Sequence, residues 1–216
     1  MDKYSLIKLT EEFVRQNMEG YDSGHDWWHI DRVRRLALHI NKMEALADPF
    51  LVEITALLHD TADSKFAGGN MQQGYSLIGD FMDSHEMSEI KDQVLDVIKN
   101  ISFSNKNKTS LANDPLLWVI RDADRLDAIG AIGIARAFNY GGFRNNRIYD
   151  PIITGLKDKS ARPLPGNAST ISHFYEKLLL LKDLMHTDSG KRLAGERHEF
   201  LEIYLLQFYK EWEFSE

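Results

Sequence analysis

Apolar residues recur along this chain at intervals of three and four, the period of helices with one buried face. Leu6, Leu9, Phe13 and Met18 predict a first amphipathic helix over residues 5–19, closed by Gly20. Asp22 or Ser23 can cap the next, whose apolar row is Ile30, Val33, Ala37 and Ile40. The overlapping row His29, Val33, Leu36 and Ile40 turns His29 inward. Asp48-Pro49 starts a third helix, because proline is preset for the first turn. Leu51, Ile54 and Leu58 form its buried side, and it ends at His59-Asp60.

Residues 64–84 hold Gly68-Gly69-Asn70 and scattered polar groups, and read as a loop with short helical pieces. Ile90, Val94, Val97 and Ile101 restore the helical period, and Ser102 to Asn113 reads as a loop. Asp114-Pro115 opens a helix with an inward row of Leu117, Ile120, Asp124 and Asp127, running on through Ile129, Ile132 and Ala135 to about Phe138. From 139 to 169 come four glycines and three prolines among aromatic and basic residues. A loop of that length is usually functional. Two helices follow, marked by Phe174, Leu178, Leu181 and Met185, then by Leu193, Phe200, Tyr204 and Phe208. No strand alternation, repeat or domain boundary is legible. The expected architecture is all-α and a single domain over 1–216: a core over about 20–139, the loop at 139–169 and a C-terminal helical pair at 170–213.

With 216 residues, 43% of them hydrophobic, the chain has ample core. A net charge of -7 excludes a protein that coats nucleic acid through its overall field, so an anionic substrate needs a local cation. The absence of cysteine excludes disulfides, thiolate metal sites and a cysteine nucleophile. No signal-peptide pattern or membrane-length apolar run is legible, which gives a cytoplasmic expectation with no membrane partner. Helical enzymes of this size are often homodimers, yet no heptad or exposed patch can be named from sequence.

The inward polar residues are His29, His59, Asp60 and Asp124, from three helices. Neighbours on a helix point about 100° apart, so His59 and Asp60 cannot both face the core, but both can reach one ion at the helix end. Two imidazoles and two carboxylates suit one borderline divalent cation, manganese first, then iron, cobalt, nickel or zinc, with magnesium less natural. Such an ion polarises a phosphoryl oxygen and activates water, pointing to phosphoester or phosphoanhydride hydrolysis.

The order His29, His59-Asp60, Asp124 resembles the signature of the HD-domain phosphohydrolase superfamily. Longer stretches resemble one bacterial branch, the YpgQ-like proteins: His25-Asp26-Trp27-Trp28-His29; Leu57-Leu58-His59-Asp60 with Asp63 and Lys65-Phe66; Arg121 through Gly130; and His173-Phe174-Tyr175-Glu176-Lys177 through Arg197-His198 to Gln207-Phe208-Tyr209. That branch includes nucleotide pyrophosphohydrolases. The resemblance implies an HD-type helical bundle, with His29, His59, Asp60 and Asp124 as metal ligands. It also implies cleavage of (deoxy)nucleoside triphosphates to monophosphate and pyrophosphate. Asp63 matches an acidic position one turn past the dyad and is read as base or water-positioner. Thr61 departs from the apolar residue many relatives carry. His85 is the sole histidine between Asp60 and Asp124, which favours one metal over two.

Lys65 is the nearest cation for substrate phosphate, followed by Arg125, Arg144 and Lys177. Tyr140 and Phe143, with Trp27, Trp28 and Phe66, could present a stacking face to a base, although Trp28 fits a core position better. The 139–169 loop is expected to fold over the substrate. His25 is placed outside the ligand set, Asp127 either pairs with a buried arginine or joins the site, and Asp122 is expected on a solvated or helix-pairing face. His173, His186 and His198 are assigned to packing or surface. Rival readings are a phosphomonoesterase or phosphodiesterase acting on another nucleotide, a nucleotide sensor without catalysis, and a helical adaptor whose histidines and aspartates pair with one another.

Overall fold

A computed structural model of the chain describes residues 1–18, 26–62, 71–101, 113–151 and 169–214. Among the described residues there are nine α-helices, one 3-10 segment and no strand. They fall into two compact units, Met1–Ala123 and Asp124–Glu216. The division lies inside a helix, where no shift of composition marks it.

In the first unit, α1 (Lys3–Asn17) is capped by Asp2, whose carboxylate accepts from the Ser5 N–H. The cap of α2 (Trp27–Glu44) is Asp26, not the expected Asp22 or Ser23: its side chain accepts from the His29 N–H at 2.9 Å. The helix α3 (Pro49–Leu58) begins as predicted, with Asp48 accepting from the Phe50 N–H and proline in its first turn. It is apolar around most of its circumference, with Leu51, Val52, Ile54, Ala56, Leu57 and Leu58 all buried. A helix of that kind belongs inside its domain, and α1, α2 and α5 (Ser88–Ile101) pack against it. Each fully buried Leu or Ile there is worth about 1.5–3 kcal/mol. Arg34 of α2 fixes the outer rim, donating to Glu11 of α1 at 2.6 Å and to Glu53 of α3 at 2.8 Å.

Residues 71–84, expected as part of a loop with short helical pieces, form one continuous helix, α4 (Met71–Ser84). Its glycines hid the period, because Gly74 is itself a core position. A Cβ there would lie 2.6 Å from the Ala62 Cα, so α4 abuts the chain just past His59-Asp60 backbone to backbone. Phe81 of α4 stacks on Phe13 of α1 at 4.0 Å. The long helix expected from Pro115 to Phe138 is two. It breaks after α6 (Pro115–Asp127), and α7 (Gly130–Phe143) starts at Gly130 with φ 74°. Ile132, read as inward on one continuous rod, is consequently 45% exposed.

The second unit takes in the last turn of α6, then α7, α8 (Thr170–Glu176), the 3-10 segment Leu178–Leu184 and α9 (Asp188–Glu213). Phe174, Leu178, Leu181 and Met185 are buried as predicted, although the expected single helix is split. A 3-10 turn eclipses positions three apart, so the row survives the change. Phe200 is exposed, contrary to expectation, because Ala194, His198, Leu201 and Leu205 make the inner face of α9. Asn139–Phe143 of the expected loop is helical, and 152–168 lies outside the described residues. No described helix is long and apolar enough to cross a membrane.

Candidate metal centre

The buried helix α3 delivers His59 and Asp60 to its C-terminal end. The His59 Nδ1 lies 2.8 Å from the Ala56 carbonyl oxygen. A carbonyl only accepts, so Nδ1 is the donor in that bond and Nε2 is the ring atom left to face a ligand. That Nε2 is buried, with no hydrogen-bond partner, and lies 3.5 Å from Asp60 Oδ1. From α2, the fully buried His29 brings its Nε2 to 3.3 Å from Asp60 Oδ2. The rings meet edge to face, with centroids 5.3 Å apart. Asp26 holds the backbone of the turn that carries His29.

Asp124 extends the set from α6, whose Pro115–Ala123 belongs to the first unit. One ligand atom from each of His29, His59 and Asp124 lies within 4.8 Å of the others. A lone pair aimed at a carboxylate oxygen is repulsive unless positive charge lies between them, and a buried polar atom left unmatched costs about 1–3 kcal/mol. A cation among these donors removes both penalties. The His59 bond to a backbone carbonyl is the support that metal-bound imidazoles ordinarily have. The nitrogen and oxygen donors therefore fit a borderline divalent ion.

His25, Asp63, Lys65 and Phe66 lie outside the described residues. Arg125 donates to the Leu184 carbonyl and lies 3.4 Å from His186 Nδ1, a connection within the second unit. Tyr140 is 39% exposed on the last turn of α7, and Arg144 is exposed just past it. Lys177 is half-buried between α8 and the 3-10 segment, where its charge adds to burial in holding the His173 imidazole below its ordinary pKa. Trp28, expected in the core, is 62% exposed, since the inward position of that turn belongs to His29.

Two acidic residues are placed differently from the metal set. Asp122 is fully buried, which overturns the solvated alternative and leaves the helix-pairing one standing. Asp127, at 1% exposure, accepts from Arg136 Nη1 at 2.7 Å, which is the arginine-pairing alternative. Sequence reasoning missed Asp26 as the support of His29, and Arg136 and Arg197 as partners of the α6 end. The cap had a signal, an aspartate three residues before His29. Arg136, nine residues from its partner and on another helix, had none.

Two imidazoles and two carboxylates in this order, at the end of a buried helix, define a class. The HD domain family matches residues 27–129. The chain belongs to the HD-domain superfamily of metal-dependent phosphohydrolases. Within it, YpgQ of Bacillus subtilis (strain 168) is 37% identical over 214 residues, covering 98% of this chain and 96% of its own length. The crystal structure of Bacillus subtilis YpgQ in complex with ADP superimposes with a TM-score of 0.74 at 35% identity, over 95% of this chain and 97% of that one. An HD-superfamily hydrolase from Bacillus thuringiensis reaches a TM-score of 0.76 at 37% identity, over 98% of this chain and 99% of that one. The Lin1889 protein of Listeria innocua reaches 0.78 at 31% identity, over 100% of both chains.

Proposed function

We propose that this chain hydrolyses a nucleoside triphosphate, a deoxynucleotide in preference, to the monophosphate and pyrophosphate. One divalent cation, manganese in preference, is held by His29, His59, Asp60 and Asp124. The observation that carries this reading is the buried approach of two imidazole Nε2 atoms to the Asp60 carboxylate, one of them left to face a ligand by the Nδ1 bond to the Ala56 carbonyl. The ADP bound to YpgQ supports a nucleotide ligand.

When bound, the ion supplies a Lewis acid for a phosphoryl oxygen and lowers the pKa of water. Around it, the chain's own residues orient and neutralise. His59 keeps one tautomer through Ala56, and His29 is steadied by the Asp26 cap. A water oxygen bonds to the α phosphorus, the bond from that phosphorus to the bridging oxygen breaks, and pyrophosphate departs. Asp63, four residues beyond His59 in sequence, is assigned to position the water and take its proton. Lys65 is assigned to offset substrate charge. Lys177, Arg144 and Tyr140 are the further substrate contacts, with Arg125 the weakest because its guanidinium already serves Leu184. What remains of the expected 139–169 lid, after Asn139–Phe143 of α7, is assigned to fold over the substrate.

The test is a panel of nucleoside tri-, di- and monophosphates and cyclic nucleotides with manganese and with magnesium, scored by product. Pyrophosphate and monophosphate released together support the reading. Orthophosphate, or a monophosphate from a cyclic nucleotide alone, replaces it with a phosphomonoesterase or phosphodiesterase.

A further inference from the structure

The last turn of α6, which carries Asp124, is held by arginines from two other elements, while its own Arg125 reaches a third. Arg197 of α9 donates from Nη1 to the Leu126 carbonyl at 2.5 Å, one of the acceptors a helix leaves over at its C-terminal end. The same oxygen accepts the Ile129 N–H at 3.2 Å. Gly130 makes this approach geometrically feasible. Its φ is +74°, and a Cβ on it would stand 3.0 Å from Arg197 Cγ and 3.2 Å from Arg197 Cβ. The glycine thus takes a left-handed backbone and leaves room for the arginine stem to lie across the α6–α7 junction. Arg136 of α7 holds Asp127 on the same turn, and Arg125 ties that turn to the Leu184 carbonyl. Positive charge at this end also complements the helix dipole.

We propose that Arg197 is a positioning residue for Asp124. By holding the Leu126 carbonyl, two residues further along the same turn, it sets the direction in which the Asp124 carboxylate points and so the affinity of the site for its divalent ion. This rests on Asp124 being a metal ligand, and the test separates the two claims. Free Mn2+ is titrated against the whole protein by electron paramagnetic resonance, without substrate. Arg197→Met keeps the aliphatic stem over Gly130 and removes the donors; it should weaken Mn2+ binding about tenfold, the size of outer-shell effects on metal affinity. Arg197→Lys, with one ammonium donor, should recover part of that loss. Leu201→Ala, a fully buried α9 residue, is the control, and should lower the melting temperature with Mn2+ affinity unchanged.

Wild-type affinity in both Arg197 variants overturns the proposal, as does a loss in Leu201→Ala equal to that in Arg197→Met. Should Arg197→Met fail to fold, Arg197→Lys decides: binding weaker than wild type supports the proposal, and equal binding overturns it. Wild-type protein that binds no Mn2+ removes the metal reading itself, whereas normal wild-type binding with unaffected Arg197 variants removes the positioning role alone.

Discussion

The C-terminal ends of α3 and α6 both carry acidic residues out of solvent, and the two ends are matched in opposite ways. At the α6 end, Asp127 meets Arg136, the Leu126 carbonyl meets Arg197, and Arg125 reaches Leu184. Charge is answered by charge, and the turn is complete within the protein. At the α3 end, the Asp60 carboxylate faces two imidazole nitrogens, and the His59 Nε2 has no hydrogen-bond partner. The first arrangement is closed by arginines; the second gathers nitrogen and oxygen donors of the kind a borderline divalent cation takes. Sites that contradict the ordinary rules of burial are where function is expected, and the contrast separates Asp127, paired with an arginine, from the carboxylates that lie beside the histidines.

The contrast predicts that the two ends fail differently. Asp60→Ala should abolish metal retention, seen by elemental analysis, and reduce hydrolysis to background, because the shared carboxylate is lost. It should change metal-free melting less than Asp127→Ala does. Asp127→Ala should instead cost about 1–3 kcal/mol in denaturant unfolding, the usual loss when a charged hydrogen bond out of solvent is removed. Equal stability losses from both variants would erase the distinction.

Gly74→Ala sharpens the comparison from the α3 side. Its new Cβ would meet the Ala62 backbone at 2.6 Å, two residues past Asp60. Overpacking of this kind costs roughly 1–3 kcal/mol, and the displaced turn should weaken Mn2+ binding as well. A variant with wild-type stability and affinity would show that α4 does not brace the dyad.

The smallest expected effect is a pH dependence remote from the dyad. Burial first, and then the charge of Lys177, hold the His173 imidazole below its ordinary value of 6.5. The unfolded chain therefore takes up this proton at a higher pH than the folded one does. The stability at stake is present in full above 6.5 and is lost as pH falls from there through the lower folded value. The melting temperature of the wild type should decline more steeply over that acid range than that of His173→Asn. Parallel curves would contradict the assignment.

What could be read from the sequence followed a physical divide. His29 and the end of α3 were legible because periodicity alone decides which residues face inward along a regular helix. The Asp48-Pro49 and Asp114-Pro115 starts were legible because capping is local chemistry. The break at Gly130 was hidden, since the apolar row on either side of it keeps its spacing, although a glycine past Asp127 is the ordinary mark of a helix stop. The α4 helix was hidden because Gly74 serves a tertiary contact that no local pattern encodes. Asp127 could be recognised as inward, but its partner Arg136 comes from the next helix, and only the fold decides between an arginine and a metal.

The central claim is tested most directly by crystals of the protein grown with Mn2+ and measured on both sides of the manganese absorption edge. The account predicts one anomalous peak within bonding reach of the Nε2 atoms of His29 and His59 and of the carboxylates of Asp60 and Asp124. A peak coordinated by other residues, or no peak at saturating Mn2+, would contradict it.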